Sequence, residues 1–375
     1  MKEGEKRVRN NRARGLLCLI GVITALAGCA PATMTPNITD EAALKEMHYQ
    51  QEIALKEMEN RNQRLQDVAR PLLTANVDLC GQAVAPYTGM FLQTEATAPK
   101  DFKAAMGRVY GLDKYPTVIM LTKGSPAAKV LQVGDVITQV NGKSLKTGKA
   151  GLQAIKDTEE AMDAAAPLNL SIRRKGTEQT VAVKMVMACD DPMIYENDDQ
   201  VNAYADGTAI HINKGIMNFA KNDTELAIVI GHELAHNTRG HMEARQGNAL
   251  IGTLLGAAVT VATGVDVTRL GSDIGAGAHA QGFESEADYV GLYLTARAGY
   301  PIDEAPLLWR RMGADNPESI HLEGSDHPST AKRYLALDAT VKEIKAKQAK
   351  GQPLVPEEKK QRDFEGEQKE AGLNN

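Results

Sequence analysis

Hydrophobic and polar positions change rhythm several times along this chain. MKEGEKRVRNNRARG at the start is polar and basic, and LLCLIGVITALAG after it is apolar and uncharged. PATMTPNITD follows as a short linker, and residues 40 to 70 then read as a polar helix in which ALKEM at 43 returns at 54. LNLSIRRKG and EQTVAVKMV alternate apolar and polar residues around a glycine-bearing turn, the period of paired strands. Further on, Glu225-Leu-Ala-Ile-Val-Ile-Gly231 is an apolar approach to the polar cluster GHELAHNTRGH. ALIGTLLGAAVTVATGV, 249 to 265, carries no charge, and Phe283-Glu-Ser-Glu-Ala-Asp-Tyr289 opens a helical stretch that continues through VGLYLTARAG. From residue 342 the chain is charged and poor in apolar residues, the composition of a frayed helix followed by disorder.

The polar cluster is where chemistry enters. His232 and His236 are four residues apart, so a helix stacks both imidazoles on one face. Glu233 completes H-E-x-x-H, the arrangement in which two imidazoles hold zinc and the glutamate takes a proton from water. A third protein ligand is still required. The metzincin spacing does not supply it, because Arg239 stands where its glycine belongs and His241 falls one residue off register, turned away from the ligand face. A glutamate on a second helix is the other source. Glu284 and Asp288 share a face, one placed to ligate and the other to hydrogen-bond the far nitrogen of a ligand histidine. Glu286 points elsewhere and reads as a solvated or helix N-terminal charge. Two histidines and one glutamate leave a fourth position open, which makes such a site catalytic.

With HELAH, GFESEADYVGLYL and Asp326-His-Pro-Ser-Thr330 followed by Arg333, residues 190 to 340 resemble the zinc metallopeptidases related to HtpX, the CAAX-prenyl proteases and the Oma-type proteases. The resemblance is strongest to their soluble periplasmic members. It implies Glu284 as the third ligand and His327 as a contact near the metal, whereas Arg333 stays outside the catalytic set as a helix charge. Upstream, Ser125-Pro-Ala-Ala-Lys-Val-Leu-Gln-Val-Gly-Asp-Val-Ile-Thr-Gln-Val-Asn-Gly142 resembles the core of a bacterial PDZ domain, one residue short of the usual spacing and without a clear carboxylate-binding loop. AGLQAIKDTEEAMDAA suits the helix bordering its peptide groove.

The apolar run near the start ends at Leu26-Ala-Gly-Cys29 and reads as a secretory signal whose last residues resemble a bacterial lipobox, with Cys29 lipidated. The rival is an uncleaved anchor, for which the run is short of the roughly 20 residues a span needs. Ala30 resembles sorting to the outer membrane. Six basic and two acidic residues lie in the first 28, so the remainder holds 37 basic and 46 acidic, a net charge of −9. That balance offers no basic patch for nucleic acid. In an oxidising periplasm the remaining pair, Cys80 and Cys189, reads as a disulfide, with two free thiols as the alternative.

The fold expected is α+β: a mainly helical zincin-type metalloprotease domain with a small edge sheet, preceded by a mixed β/α PDZ-like domain. Its parts are a signal peptide (1–28), a linker and polar helix (29–79), the PDZ-like domain (80–189), the peptidase domain (190–341) and a charged tail (342–375). Thr208-Ala-Ile-His-Ile-Asn213 reads as a strand that could align an extended substrate, with His211 as a strand surface residue. The uncharged 249–265 segment reads as a lid or wall beside the site. The function expected is a zinc endopeptidase, with one Zn2+ per chain, acting on protein or peptide substrates from a lipid anchor in the periplasm. A lipid-anchored PDZ-type binding or chaperone-like module with a latent zinc site is the alternative. A cell-wall hydrolase lacks a supporting carboxylate pair.

Overall fold

The computed structural model describes residues 35–277, 279–320 and 329–358. In chain order the elements are α1 (Asp40–Ala75), β1 (Val84–Tyr87), β2 (Met90–Gln93), α2 (Lys103–Tyr110), β3 (Thr117–Leu121), β4 (Val136–Val140), β5 (Lys143–Ser144), α3 (Lys149–Glu160), β6 (Leu168–Arg174), β7 (Thr177–Val183), β8 (Val186–Cys189), β9 (Met193–Glu196), β10 (Ala203–Ala205), β11 (Ile210–Asn213), α4 (Lys214–Phe219), α5 (Asp223–Thr238), α6 (His241–Thr263), α7 (Thr268–Gly277), α8 (Ala280–Arg297), α9 (Ala305–Asp315) and α10 (Thr330–Ala349). The chain divides into two units, residues 1–50 and 51–375. In the first, Ile38, Leu44, Met47 and Tyr49 are exposed.

The second unit is α+β, with a mixed sheet-and-helix part, the region that resembles a PDZ domain, ahead of a mainly helical part. One core gathers Val118, Ile137, Ile155, Leu168, Leu170 and Ile172 under a sheet of order β2-β3-β4-β6-β7, with β5 paired to β4. The β6–β7 hairpin turns through Lys175 (φ 50°) and Gly176 (φ 82°), the two left-handed residues that a two-residue hairpin loop needs. β1 and β8 leave that sheet and pair with each other. At their end Cys80 and Cys189 form a disulfide with Cα atoms 5.7 Å apart, and both are buried in the larger core, that of the helical part.

Two stretches are more deeply buried than their sequence reading implies. The first is the polar helix of the 29–79 segment. Leu65, Val68, Ala69, Leu72 and Leu73 of α1 lie in the larger core, and each buried leucine contributes about 1.5–3 kcal/mol. Charged residues on the other faces dilute the signal of that stripe. The same helix grips the PDZ fold: the Gln63 amide donates to Leu121 O, Arg70 Nε donates to Lys123 O, and Asp67 accepts from the Lys123 N–H. The second is the tail from 342. Residues 342–349 complete α10, where Ile344 is fully buried, and residues 352–358 run on against the domain. Arg297 donates to Leu354 O, the Glu357 N–H donates to Tyr289 Oη, and Arg239 pairs with Glu358. One apolar residue per turn is enough to seat a helix whose composition is mostly charged.

The 249–265 segment, read as a lid or wall, is not among the residues that line the cleft. It runs through most of α6 and packs on α7, with Gly252 and Gly256 facing Gly271 and Gly275; a Cβ on Gly256 would sit 2.7 Å from Val267 O. Its small residues let the two helices approach closely. Leu250, Leu254, Leu255 and Val261 face outward. Among the described residues, no helix is long and apolar enough to cross a membrane.

Candidate metal centre

α5 begins at Asn222, whose side chain accepts from the Glu225 N–H, while Glu225 accepts from the Lys221 N–H and is clamped by Arg311 of α9. From Glu225 to His236 every residue is buried, as expected of a helix apolar nearly all round. α8 crosses it at a glycine pair. A Cβ on Gly231 would lie 2.7 Å from Gly291 O, and one on Gly291 would lie 2.7 Å from Gly231 O, so only hydrogen fits at either place. That close crossing brings Glu284 and Asp288 of α8 against His232 and His236 of α5.

The donors converge on one point. His232 Nε2 and His236 Nε2 are 3.2 Å apart, and the two Glu284 carboxylate oxygens each lie 3.5 Å from one of them. Metal–ligand bonds of 2.0–2.2 Å in a tetrahedron imply donor separations of about 3.3–3.6 Å, so the residues fit a metal ion. Charge supports the fit. Glu233, Glu284 and Asp288 are buried together with Arg333 beside them, and with neutral imidazoles this leaves a negative surplus that a dication would balance. Burial favours neutral imidazoles and holds His236 down to about 3. At His232 it is overcome by Asp288 and Glu284, which hold the pKa up at about 10.

Around the donors, Asp288 Oδ1 lies 3.0 Å from His232 Nδ1. Burial pushes the Glu233 carboxyl up, opposed by His232, Arg333 and the N–H of Ala205, which donates to it. All four of His232, His236, Glu233 and Glu284 line a cleft of about 660 Å³ whose wall includes Met242 and Arg245 from the first turns of α6, with Phe219 and Trp309. Cys29 and His327 lie outside the described residues.

The strand read as a substrate guide is β11, and it is the centre of a three-stranded sheet of order β10-β11-β9, with both edges taken. Among the described residues β10 and β9 are the two edge strands, and it is β10 whose Ala203, Tyr204 and Ala205 line the cleft. His211 of β11 stands between Glu196 (3.0 Å) and Asp206 (3.1 Å) and stacks on Tyr204 at 4.4 Å. It braces the edge strand. Asn237 fixes the loop between β10 and β11 to α5, accepting from the Gly207 N–H and donating to Ala209 O and Asp191.

Three charged or titratable residues take places that the sequence reading did not give them. Arg333 is buried, makes two hydrogen bonds to Asp288 (2.8 and 2.7 Å), and lies 3.4 Å above the Trp309 ring. His241 is also buried, with Nδ1 3.0 Å from His236 Nδ1. Glu286 is paired with His241 and Arg239. For Arg333 the signal was its place just after the Asp326-His-Pro motif. For the other two no spacing rule applies, because a turn lies between α5 and α6.

Residues 168–341 match peptidase family M48, and residues 104–185 match the PDZ domain. Mitochondrial metalloendopeptidase OMA1 of Arabidopsis thaliana is 28% identical over 167 residues, which are 44% of this chain and 34% of that protein. The beta-barrel assembly-enhancing protease of Yersinia pestis is 32% identical over 130 residues, 31% of this chain and 27% of that protein. OMA1 of Saccharomyces cerevisiae is 30% identical over 140 residues, 34% of this chain and 39% of that protein. The chain thus spans between 27% and 39% of the length of these relatives.

Proposed function

We propose that this chain, an Oma/M48-type metallopeptidase sequence with an attached PDZ domain, is a zinc-dependent endopeptidase of the bacterial cell envelope that cuts unfolded or misassembled proteins. The observation that carries the reading is the closed triangle of His232, His236 and Glu284 with Glu233 beside it in an open cleft. Two imidazoles and a carboxylate suit zinc. When bound, the ion supplies Lewis-acid polarisation of the scissile carbonyl and acidifies water.

The remaining chemistry belongs to the chain. The free edge of β10 pairs with the extended backbone of the substrate and sets the scissile bond over Glu233, as strand addition does elsewhere. The Glu233 carboxylate takes a proton from the attacking water and delivers it to the leaving amine as the C–N bond breaks. Its burial raises its affinity for that proton. Asp288 and Arg333 hold His232 in place, and the apolar residues of the cleft keep bulk water away. An edge strand recognises main chain, so the substrate must be locally unfolded. In the PDZ domain, β2 is likewise an edge strand and offers a second place to hold a peptide.

The proposal includes a cleaved signal, lipid on Cys29 and a periplasmic location at the outer membrane. Support comes from the basic start, the apolar run and the L-A-G-C ending, together with the name of the Yersinia pestis relative. The test is cleavage of casein by the chain beginning after Cys29. We expect cleavage that a zinc chelator abolishes and that added zinc restores. Cleavage surviving chelation contradicts the mechanism, and metal-loaded protein that never cleaves favours a binding module.

A further inference from the structure

His241 is an unusual neighbour for a ligand histidine. In an unbroken helix the fifth residue after His236 would be turned about 140° around the axis, out of reach. Here α5 stops at Thr238 and Gly240 adopts φ 65°, a left-handed residue that breaks the helix and lets α6 start at His241. The ring returns against His236, with the two Nδ1 atoms 3.0 Å apart and the rings at 80°. α8 holds it on the other side. Phe283 stacks on it at 4.7 Å, and Glu286, one turn further on, lies 3.3 Å from its Nε2. The helix that presents Glu284 to the donor triangle therefore also clamps the residue behind His236.

The proton positions follow from the geometry. His236 turns Nε2 toward Glu284 and His232, so as a ligand it must keep that lone pair free and carry its proton on Nδ1. That N–H donates to His241 Nδ1, which must then be an acceptor, and the proton on His241 Nε2 donates to Glu286. One chain of contacts selects one tautomer at both rings. His232, by contrast, has a carboxylate directly behind it, Asp288.

We propose that His241, aligned by Phe283 and Glu286, is a positioning residue that fixes the tautomer and ring orientation of the ligand His236 and so raises metal affinity. This rests on the reading of His232, His236 and Glu284 as a metal site. Support behind a ligand histidine is typically worth about 10–100-fold in metal affinity.

The test measures zinc affinity of the chain beginning after Cys29 by competition with a chromophoric chelator, with no substrate present. His241→Phe keeps an aromatic ring against Phe283 but removes the acceptor, and we expect affinity about 10–100-fold lower. His241→Asn places an oxygen acceptor near the Nδ1 position, and we expect affinity recovered to within about 3-fold of wild type. Glu286→Gln, at a partly exposed position that does not threaten folding, should lose several-fold. Wild-type affinity in His241→Phe, or equal losses in His241→Phe and His241→Asn, would overturn the proposal while leaving the metal site standing. Should His241→Phe not fold, wild-type affinity in Glu286→Gln with a loss in His241→Asn overturns it equally. A wild-type protein that binds no zinc removes the metal site itself, and the proposal with it.

Discussion

Glu233→Gln leaves the protein folded and metal-loaded and lowers kcat for peptide cleavage by about 10²–10⁴-fold. The carboxylate sits one residue beyond His232, is buried at the rim of the cleft, and accepts from the Ala205 N–H. It is outside the donor triangle, so its loss does not open the metal site. An amide has the same shape and can still accept from Ala205, but it cannot take a proton from water. Its effect falls on kcat with little change in KM, because substrate is held by the edge strand and not by this side chain. Steady-state kinetics on an internally quenched peptide read this directly. A fall in kcat of less than 10-fold would show that another group is the base.

The largest expected effect on stability is at Arg333. Its guanidinium meets both oxygens of Asp288, and both residues are buried at 8% and 5% exposure. Burial works against the Asp288 anion, and Arg333 and His232 nevertheless hold its pKa below the ordinary carboxylate value. Arg333→Met keeps much of the stem volume over Trp309 but strands that carboxylate. Breaking one partner of a buried pair costs about 3–5 kcal/mol. Trp309 is the chain's single tryptophan and lies directly under Arg333, so its fluorescence in urea follows the domain concerned. Adding Asp288→Asn to Arg333→Met should recover part of the loss, since the stranded charge is gone. A single variant within 1 kcal/mol of wild type, or a double variant with the full sum of both losses, contradicts this account of the pair.

Helical spacing made much of the centre legible. His232 and His236, and Glu284 and Asp288, are each one turn apart, and the structure gathers their side chains where two helices cross at Gly231 and Gly291. The alternating strands and short helices of the PDZ fold read off the chain for the same reason. What periodicity could not supply depends on breaks in it. His241 reaches His236 only because Gly240 turns left-handed, and spacing rules assume that the helix continues. Arg333 read as a solvated charge because a sequence shows residue type and not depth, whereas Glu286 is exposed as expected and the sequence hides only its pairing with His241 and Arg239. Pairing order is invisible in the same way, so Thr208–Asn213 looked like an available edge when β10 holds that position. The buried stripe of α1 and the docked run after α10 were hidden by charged neighbours.

The most direct test of the account is elemental analysis of the purified chain beginning after Cys29, wild type beside Glu284→Gln. We expect one zinc per chain in the wild type and well below one in the variant, with both folded by circular dichroism. Removing the carboxylate that closes the triangle leaves only two imidazoles to hold the ion. Zinc-free wild type after incubation with zinc, or full zinc retained without Glu284, would contradict the claim that these three side chains form the metal centre.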